Sequence, residues 1–527
     1  MAAGRSCRGL HSNRMEASSV RQSKTKSKAG NGAGAVLAGI VPLTPENGKR
    51  RSDSGKLVSA NASSASASVT SVSWPRGYVW SAAAAIVGGL ILRLWMLRAF
   101  PQVNGDGLIY GTIARNLLEH GRFALTDGSG VIHDTLIRLP GYPIFLATCF
   151  RIFGVGNYTA VAYLQIVLEV VACLLLADFV RRIYSPLAGL ITLWSAALCP
   201  FTAVYSSPPL TESLTFDMIC LAMWSLERYL ERRGTIRRRW LWVFTVAICF
   251  AALLRPDGAL VAVALWPALI FERPADRQMP AALRAALLCG LVSVLPFTVW
   301  AARNWSTFHV LQPLAPRYAT DPGEDTHPGW QQWVKTWCLD FSCTYEVYWN
   351  VPDGPLAMDA LPSQAFDSAE QRAKTAALVA EYNVDQQVTP EMDARFGALA
   401  RERAAAHPLR TYVVMPLGRL ADMLLRPRVE NLPIDLRWWE YSHHRPETRF
   451  SVAYGVVNLI YLLAGLAGFF YRPRLWPYMA AYLVLRSMLL LTVEAPETRY
   501  TLEFFPILFA LGGVTFYRVF SRQRSTK

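Results

Sequence analysis

Charged side chains are scarce in this chain, since Asp, Glu, Lys and Arg together make up only 17% of its 527 residues. A soluble globular protein carries about 25%. Hydrophobic residues reach 52%, and 17 tryptophans are present. Because Trp and Tyr concentrate at membrane–water interfaces, this composition argues against an ordinary soluble domain. It predicts a protein that crosses a membrane several times.

Acidic side chains are especially rare in residues 1–77, where three Asp or Glu stand against twelve Lys or Arg. The stretch "SANASSASASVTSVS" is small and polar and has no periodic apolar face, which predicts disorder. A basic tail can bind nucleic acid, but ahead of a first membrane helix it more often fixes the topology. We therefore expect 1–77 to be a disordered basic cytoplasmic tail, with no nucleic-acid partner.

Patterns of metal ligands are also lacking. Of the nine cysteines, only Cys338 and Cys343, in "CLDFSC", lie together in a polar stretch. An extracytoplasmic location would allow these two to form a short-loop disulfide. The "HH" at 443–444, together with His133, leaves a divalent metal open as a cofactor, although no ligand spacing requires one. No other cofactor is expected.

Apolar runs long enough to cross a bilayer as a helix, about 20 residues, are abundant. They predict ten spans, at 78–97, 158–180, 187–204, 211–230, 240–254, 258–271, 281–303, 451–471, 475–493 and 501–518. The fifth and sixth are short and can be counted as one irregular unit. The expected fold class is therefore an all-α polytopic bundle of about ten transmembrane helices.

Arginine predicts the orientation of these spans. With the N-terminus in the cytoplasm, five Arg-rich connections fall on the cytoplasmic side: "RRIYSP", "ERRGTIRRR", "ERPADRQ", "YRPR" and the tail "YRVFSRQRSTK". This is the positive-inside pattern. The first outer loop 98–157 and the segment 304–450 then lie on the opposite side. We expect a multi-pass protein of the inner (plasma) membrane whose functional residues face the extracytoplasmic side.

The segment 304–450 is too long to be a bare connector. Its part 364–407 predicts two Ala-rich helices separated by "TPE", where Thr389 suits the start of the second. Residues 408–425 predict an interfacial helix. The apolar side chains expected on one side of it are Tyr412, Val413, Met415, Leu417, Leu420 and Leu424.

The stretch "VNGDGLIYG" in the first outer loop places Asp106 between Gly105 and Gly107. An amphipathic helix follows, and its apolar face includes Tyr110. One interpretation is that Asp106 caps the helix by accepting its first free N–H groups. The other is that the flexible turn presents a carboxylate to a ligand, since glycines allow close backbone approach.

A second motif, "IRLPGYPIFLA", contains a single cation, Arg138, ahead of Pro140, Tyr142 and Pro143. The alternation of proline and glycine excludes an ordinary helix at this point. Arg138 can simply extend its charged end to the interface. It can also bind an anionic ligand, most naturally a phosphate.

Three further motifs place charges on the same predicted face. In "PPLTESL", Glu212 lies in a first helical turn, where the helix dipole alone favours an acid. In "LLRPDG", Arg255 and Asp257 suit a local ion pair as well as a ligand site. In "PETRYTLEFFPIL", the charged and aromatic side chains suit an interfacial anchor as well as a pocket wall. These last residues are Glu497, Arg499, Tyr500 and Glu503.

Taken together, carboxylates and arginines converge on one side of the membrane. Such a pocket suits a phosphate-bearing substrate together with a general base. Two polar residues inside a predicted span, Gln165 and Glu169, add to this, because ionisable groups at membrane depth usually face a bundle interior.

At these motifs the sequence resembles the GT-C glycosyltransferases. It is most similar to the protein O-mannosyltransferases and the bacterial lipid A aminoarabinose transferase, the glycosyltransferase family 39 type. The matching segments are "NGDGLIYGTIARNLLEHGRF", "RLPGYPIFLA", "LTESL", "LLRPDG" and "PETRYTLEFFPIL". The resemblance covers 78–303, an expected catalytic transmembrane module, and 451–518, the C-terminal helices. The segment 304–450 and the tail 519–527 lie outside it.

The resemblance implies an inverting transfer from a polyprenyl-phosphate-linked sugar donor to an acceptor protein, lipid or glycan. It assigns Asp106 as general base on the acceptor hydroxyl, or as a charge that orients this hydroxyl, although the family often has two acids where this chain has one acid between glycines. It assigns Arg138 to the lipid phosphate, with Arg255 and Arg499 as further candidates. The residues expected at the pocket or acceptor site are Tyr110, Tyr142, Glu212, Asp257, Glu497 and Tyr500.

Two other classes of function fit the same composition. A transporter or flippase of an anionic lipid-linked or sugar substrate would use Glu169 and the outer cations. Transporters often contain inverted repeats with broken helices at the midplane, and this sequence has no such pairing. A structural subunit would use 304–450 as a binding surface.

Overall fold

The computed structural model describes residues 75–101, 103, 105–231, 234–272, 278–352, 354–440 and 445–525. Helices dominate this part of the chain. Its two strands, β1 (Ala124–Thr126) and β2 (Ile132–Asp134), pair in an antiparallel hairpin with Leu125 opposite His133. The predicted all-α class is therefore confirmed.

The N-terminal part of the bundle is built from eleven helices. They are α1 (Arg76–Ala99), α2 (Asp106–His120), α3 (Gly141–Phe153), α4 (Tyr158–Ile183), α5 (Pro186–Ala197), α6 (Pro200–Tyr205), α7 (Thr211–Glu231), α8 (Gly234–Leu254), α9 (Ala259–Leu265), α10 (Ala268–Phe271) and α11 (Met279–Phe308). A 3₁₀ turn, Pro256–Gly258, joins α8 to α9.

The rest of the described chain adds eight helices. They are α12 (Pro328–Lys335), α13 (Phe341–Cys343), α14 (Ala369–Asp385), α15 (Pro390–Ala406), α16 (Met415–Leu425), α17 (Arg445–Gly468), α18 (Trp476–Leu490) and α19 (Phe505–Ser525). A 3₁₀ segment, Thr498–Phe504, leads into α19.

Five described helical segments are long and apolar enough to cross a membrane. They are Arg76–Ala99, Tyr158–Ile183, Met279–Phe308, Arg445–Tyr471 and Thr498–Ser521. Each coincides with a predicted span. The other five predicted spans coincide with α5–α6, α7, α8, α9–α10 and α18, which do not meet the same standard of length and hydropathy.

Local sequence explains where these helices begin. The side chain of Asn157 caps α4 by accepting the Ala160 N–H, and Ser185 caps α5 by accepting the Ala188 N–H. Proline occupies the first turn of α5 and of α6, where its missing N–H removes no helical hydrogen bond. The predicted span 187–204 is consequently two helices, because Pro200 starts a new one.

The bundle core lies where α4, α5, α7 and α19 pack together, with α8 against α7 and α17 against α19. Glu212 begins the first turn of α7, Arg255 follows α8, and Arg499 precedes α19. Because α7 and α8 run antiparallel, these side chains meet at one end of the bundle.

The segment between α11 and α17 contains its own apolar cluster around Trp330, Trp333, Trp337 and Phe396. The two predicted Ala-rich helices are present as α14 and α15, and Thr389 caps α15 by accepting the Met392 N–H. Cys338 and Cys343 form a disulfide.

The predicted single apolar side of 408–425 is divided between two faces. Tyr412, Val413 and Leu417 are exposed, whereas Met415 is buried and Leu420 and Leu424 pack against the bundle core. A π-helical turn, Arg410–Val414, precedes α16 and changes the register of the side chains.

Candidate active site

Asp106 is the first residue of α2, and the glycines beside it have separate structural roles. Gly105 occupies the N-cap position with a φ of 48°, a conformation that favours glycine. Gly107 packs against Pro209, whose Cγ would lie 2.7 Å from an added Cβ. Among the residues that the structure describes, no side chain forms a capping hydrogen bond at the start of α2, so the capping interpretation is not supported.

The Asp106 carboxylate lies between two guanidinium groups. Arg138 Nη2 donates to Asp106 Oδ1 at 2.6 Å, and Arg499 Nη1 donates to Asp106 Oδ2 at 3.0 Å. Arg138 precedes α3, whereas Arg499 comes from the segment before α19. The prediction that "IRLPGYPIFLA" is not ordinary helix is wrong from Gly141 onward, because Pro143 lies in the first turn of α3, where its missing N–H costs no helical hydrogen bond. Each carboxylate oxygen thus holds one arginine, and both arginines are about one-fifth exposed.

These arginines decide the protonation of Asp106. Burial raises the pKa of the carboxyl, but the charges of Arg499 and Arg138 and their hydrogen bonds outweigh burial and lower the pKa to about 2. Asp106 is therefore ionised at neutral pH. A carboxylate with so low a pKa is a weak proton acceptor as long as both arginines stay in place.

Arg499 connects this site to two more acids. Its Nε donates to Glu497 and lies 3.8 Å from Glu212 Oε1. The hydroxyl of Tyr500 also donates to Glu497. Arg499 therefore sits among three carboxylates, which holds its guanidinium plane toward Asp106.

A second charge cluster lies beside the first. Arg255 Nη1 donates to Glu212 Oε1 at 2.8 Å, and Arg255 Nε donates to Asp257 Oδ1 at 3.1 Å. Arg486 of α18, which is fully buried, pairs with both Asp257 and Glu503. Arg255 also contacts Glu503, with Nε 3.4 Å from Oε1. The local pair expected from "RPDG" is thus part of a network that ties three helix ends together.

Residues of both clusters line one cavity of about 780 Å³, although Arg486 and Glu503 do not reach it. Nine of the ten predicted site residues form its wall: Asp106, Tyr110, Arg138, Glu212, Arg255, Asp257, Glu497, Arg499 and Tyr500. Tyr142 does not line it. Its ring lies edge-on behind that of Tyr110 at 5.0 Å, and its hydroxyl donates to Gln165 Oε1 at 2.6 Å.

Comparison with known proteins gives a match to one family model. Residues 138–300 match the family model described as dolichyl-phosphate-mannose-protein mannosyltransferase. The predicted resemblance to this family is confirmed over that segment. It contains Arg138, Glu212, Arg255 and Asp257, which are four of the nine wall residues. The sequence matches none of the curated proteins with which it was compared.

Three solved structures resemble the chain weakly. The oligosaccharyltransferase of Archaeoglobus fulgidus, tethered to an acceptor peptide, is 11% identical over 85% of this chain and 50% of its own, with a TM-score of 0.45. ArnT of Cupriavidus metallidurans is 17% identical in its apo state, over 84% of this chain and 78% of its own, with a TM-score of 0.34.

The same ArnT bound to undecaprenyl phosphate is 14% identical over 84% of this chain and 78% of its own, with a TM-score of 0.33. This chain spans about half the length of the archaeal enzyme. All three TM-scores lie below 0.5.

Sequence analysis missed several wall residues that lie outside the mannosyltransferase-family segment. Arg317, Tyr348 and Trp349 come from the segment after α11, and Glu494 precedes the "PETRY" motif. Arg317 pairs with Glu494 across the cavity. No local pattern marks these residues, because they reach the cavity only through the packing of the segments that follow α11 and α18.

Arg486 was also not predicted, but its position in the sequence could have indicated a functional residue. It stands in the apolar run "AAYLVLRSMLL", and a cation inside a predicted span is usually paired and functional. The same rule did identify Glu169, which pairs with Arg93 of α1 at 2.7 Å between buried side chains. Gln165 donates to the Pro208 carbonyl at 3.0 Å and so supports the loop before Glu212.

No group of three or more His, Cys, Asp or Glu side chains suited to a metal occurs in the part of the chain that the structure describes. His133 lies 2.8 Å from Asp127 in the β1–β2 hairpin. The histidines at 443–444 lie outside the described residues.

Proposed function

We propose that this chain is an integral membrane glycosyltransferase. It would move a sugar from a polyprenyl-phosphate-linked donor to an acceptor hydroxyl on the extracytoplasmic face. The observation that carries the proposal is the position of Asp106 between Arg138 and Arg499 on the wall of the cavity. The mannosyltransferase-family match over residues 138–300 supports the same chemistry.

Arg138 and Arg499 would bind the phosphate of the donor. A guanidinium group presents paired N–H donors that fit phosphate oxygens, and its charge is permanent. Fixed cations at a departing phosphate stabilise the charge that develops in the transition state. A phosphate is a good leaving group, so this step needs no general acid.

Asp106 would serve as general base. In the transfer, the acceptor oxygen attacks the anomeric carbon, the bond from that carbon to the phosphate oxygen breaks, and the acceptor proton passes to Asp106. The attack on the opposite face inverts the anomeric carbon. General-base catalysis by such a group contributes about 10²–10⁴-fold.

Donor binding would also activate this base. Asp106 has a pKa of about 2 because two arginines hold it. A phosphate that takes up the guanidinium donors of Arg138 and Arg499 removes that stabilisation, so the basicity of Asp106 rises. The protein would therefore acquire a competent base only when the donor is in place, which limits wasteful hydrolysis.

The remaining wall residues would form the sugar and acceptor pocket. Tyr110 stands beside Arg138, whose guanidinium carbon lies 5.8 Å from the ring centre. Glu212 and Asp257 are held by Arg255. These groups offer an aromatic face and fixed carboxylates to a polyhydroxylated ligand, a combination typical of pockets that orient a polar substrate.

The test uses the purified full-length protein in lipid nanodiscs, labelled polyprenyl-phosphate sugars and cell-envelope extract. The wild type should release polyprenyl phosphate and label an acceptor. Asp106→Asn should lower transfer at least a hundredfold, in line with the 10²–10⁴-fold expected of a general base.

The matched control is Asp134→Asn. Asp134 is an acid of the same outer loop that pairs with Arg122 outside the cavity, so its loss should leave transfer unchanged. Near-normal transfer by Asp106→Asn would rule out Asp106 as the general base. Movement of the lipid without cleavage of the sugar–phosphate bond would instead support a flippase.

A further inference from the structure

Arg428 is buried and does not line the cavity, yet its hydrogen bonds end on the segment that carries Arg499. Its Nη1 donates to the Thr498 carbonyl at 2.8 Å, and its Nη2 donates to the Thr501 hydroxyl. Its Nε donates to Asn458 Oδ1 of α17 at 3.2 Å. One guanidinium thus holds the residues on both sides of Arg499 and Tyr500.

Arg428 forms no salt bridge with a carboxylate of the described residues, although the charge of Glu430 acts on its guanidinium. Its guanidinium instead lies over the rings of Phe505 at 5.0 Å and Phe201 at 6.0 Å. A buried guanidinium without an acid is unfavourable unless every donor is satisfied. Such a group is retained where its hydrogen bonds hold a particular backbone geometry.

A second buried arginine holds the same turn from the other side. Arg486 Nη2 donates to the Tyr500 carbonyl at 2.8 Å. The carbonyls of Thr498 and Tyr500, which flank Arg499, are therefore each bound by a different buried arginine. The backbone of Arg499 has little freedom between these two contacts.

We propose that Arg428 is a positioning residue that holds the 498–501 turn so that the Arg499 guanidinium meets Asp106. The inference rests on the proposed function, because it takes Arg499 to be a ligand of the donor phosphate. Lysine cannot replace Arg428 in this role, since a point charge on a flexible stem lacks the planar fork that reaches Thr498 and Thr501 together.

The test measures binding of undecaprenyl phosphate to the full chain in nanodiscs. Arg428→Lys should weaken binding about tenfold, which corresponds to about 1.4 kcal/mol. Arg499→Lys should have a similar effect. The double variant should bind undecaprenyl phosphate with an affinity within about twofold of the weaker-binding single variant, because the effects of coupled residues are not additive.

Arg419→Lys is the matched control. Arg419 is also a fully buried arginine of the outer segment, and it donates to the carbonyls of Lys335 and Cys338, away from the turn. We expect this variant to lower thermal stability. In the double variant with Arg499→Lys, the fold-losses in affinity for undecaprenyl phosphate should multiply, because the two residues act independently.

A milder pair of variants covers the case in which Arg428→Lys does not fold. Thr501→Val removes the hydroxyl that accepts from Arg428, whereas Thr501→Ser keeps it. Thr501→Val should weaken undecaprenyl phosphate binding and Thr501→Ser should not. Amide hydrogen exchange in a peptide covering 494–504 should be faster in Arg428→Lys and Thr501→Val than in the wild type.

The outcomes separate the two proposals. If the wild type does not bind undecaprenyl phosphate, the proposed function is wrong, and hydrogen exchange alone then tests whether Arg428 holds the turn. If Arg499→Lys weakens binding but Arg428→Lys and Thr501→Val do not, the positioning role is wrong and the proposed function stands. Multiplicative losses in the Arg428→Lys, Arg499→Lys double variant would likewise overturn the positioning role.

Discussion

Arg499 donates to Asp106 at 3.0 Å although 393 positions separate them in the chain. Arg138 occupies the other oxygen of the same carboxylate. The two cations come from opposite ends of the bundle sequence and share one anion. This arrangement links the start of α2 to the turn before α19. In the proposed function, a phosphate replaces the carboxylate as the ligand of both arginines.

Removal of either arginine should weaken phosphate binding. Hydrogen bonds to charged groups contribute about 1.5–3 kcal/mol each, so Arg138→Ala and Arg499→Ala should raise the Kd for undecaprenyl phosphate by about 10- to 100-fold. Arg122→Ala is the control, because Arg122 pairs with Asp134 on the surface of the same loop. An unchanged Kd for Arg138→Ala would count against its role at the phosphate.

Asp106 should make stability depend on acidity. Its pKa in the folded protein is about 2, below the value of about 3.9 in an unfolded chain. A lowered pKa contributes stability that is present above about pH 4 and is lost as the pH falls toward 2. The melting temperature of the wild type should therefore fall toward that of Asp106→Asn over this interval. If the difference in melting temperature between the wild type and Asp106→Asn stays constant as the pH falls, the ion-paired state of Asp106 is contradicted.

The glycines beside Asp106 should differ from other glycines in their effect on activity. Gly105→Ala introduces a side chain at a φ of 48°, a strain of about 1–3 kcal/mol. Gly121→Ala is the control, since Gly121 also has a positive φ and open space around it but lies at the far end of α2.

Both variants should melt at lower temperature, and only Gly105→Ala should also lose most sugar transfer, because it displaces Asp106. Equal activity of the two at equal stability would show that the position of Asp106 does not depend on this turn.

Loss of the buried Arg486 should destabilise the bundle strongly. Arg486→Met removes one of the two arginines that pair with Asp257 and Glu503, the other being Arg255, and breaking a buried pair costs about 3–5 kcal/mol. Arg395→Met, which breaks the half-exposed pair with Glu381, should cost at most about 1 kcal/mol. The melting temperatures of Arg486→Met and Arg395→Met in nanodiscs, each relative to the wild type, test this difference. Adding Glu503→Gln to Arg486→Met should recover part of the loss, and a failure to do so would point to packing instead of charge.

Much of the fold follows from local sequence. Hydrophobic length indicated where α1, α4, α11, α17 and α19 would lie. "TPE" marked the start of α15, because Thr389 can cap a helix that begins at a proline. The face formed by 408–425 was not predictable in the same way. A single π-helical turn changes its register, and no residue type signals that turn.

The sequence by itself determined the class of protein, the chemistry of the motifs and the candidates Asp106, Arg138 and Arg499. Long apolar runs and glycine-flanked acids act through nearest neighbours, so they can be interpreted without knowledge of the fold. Tertiary structure alone decided which candidates meet. It brought Arg499 to Asp106, turned Tyr142 away from the cavity toward Gln165, and added Trp349 from the segment between α11 and α17. These contacts depend on which helix ends pack together, and that is a property of the whole bundle.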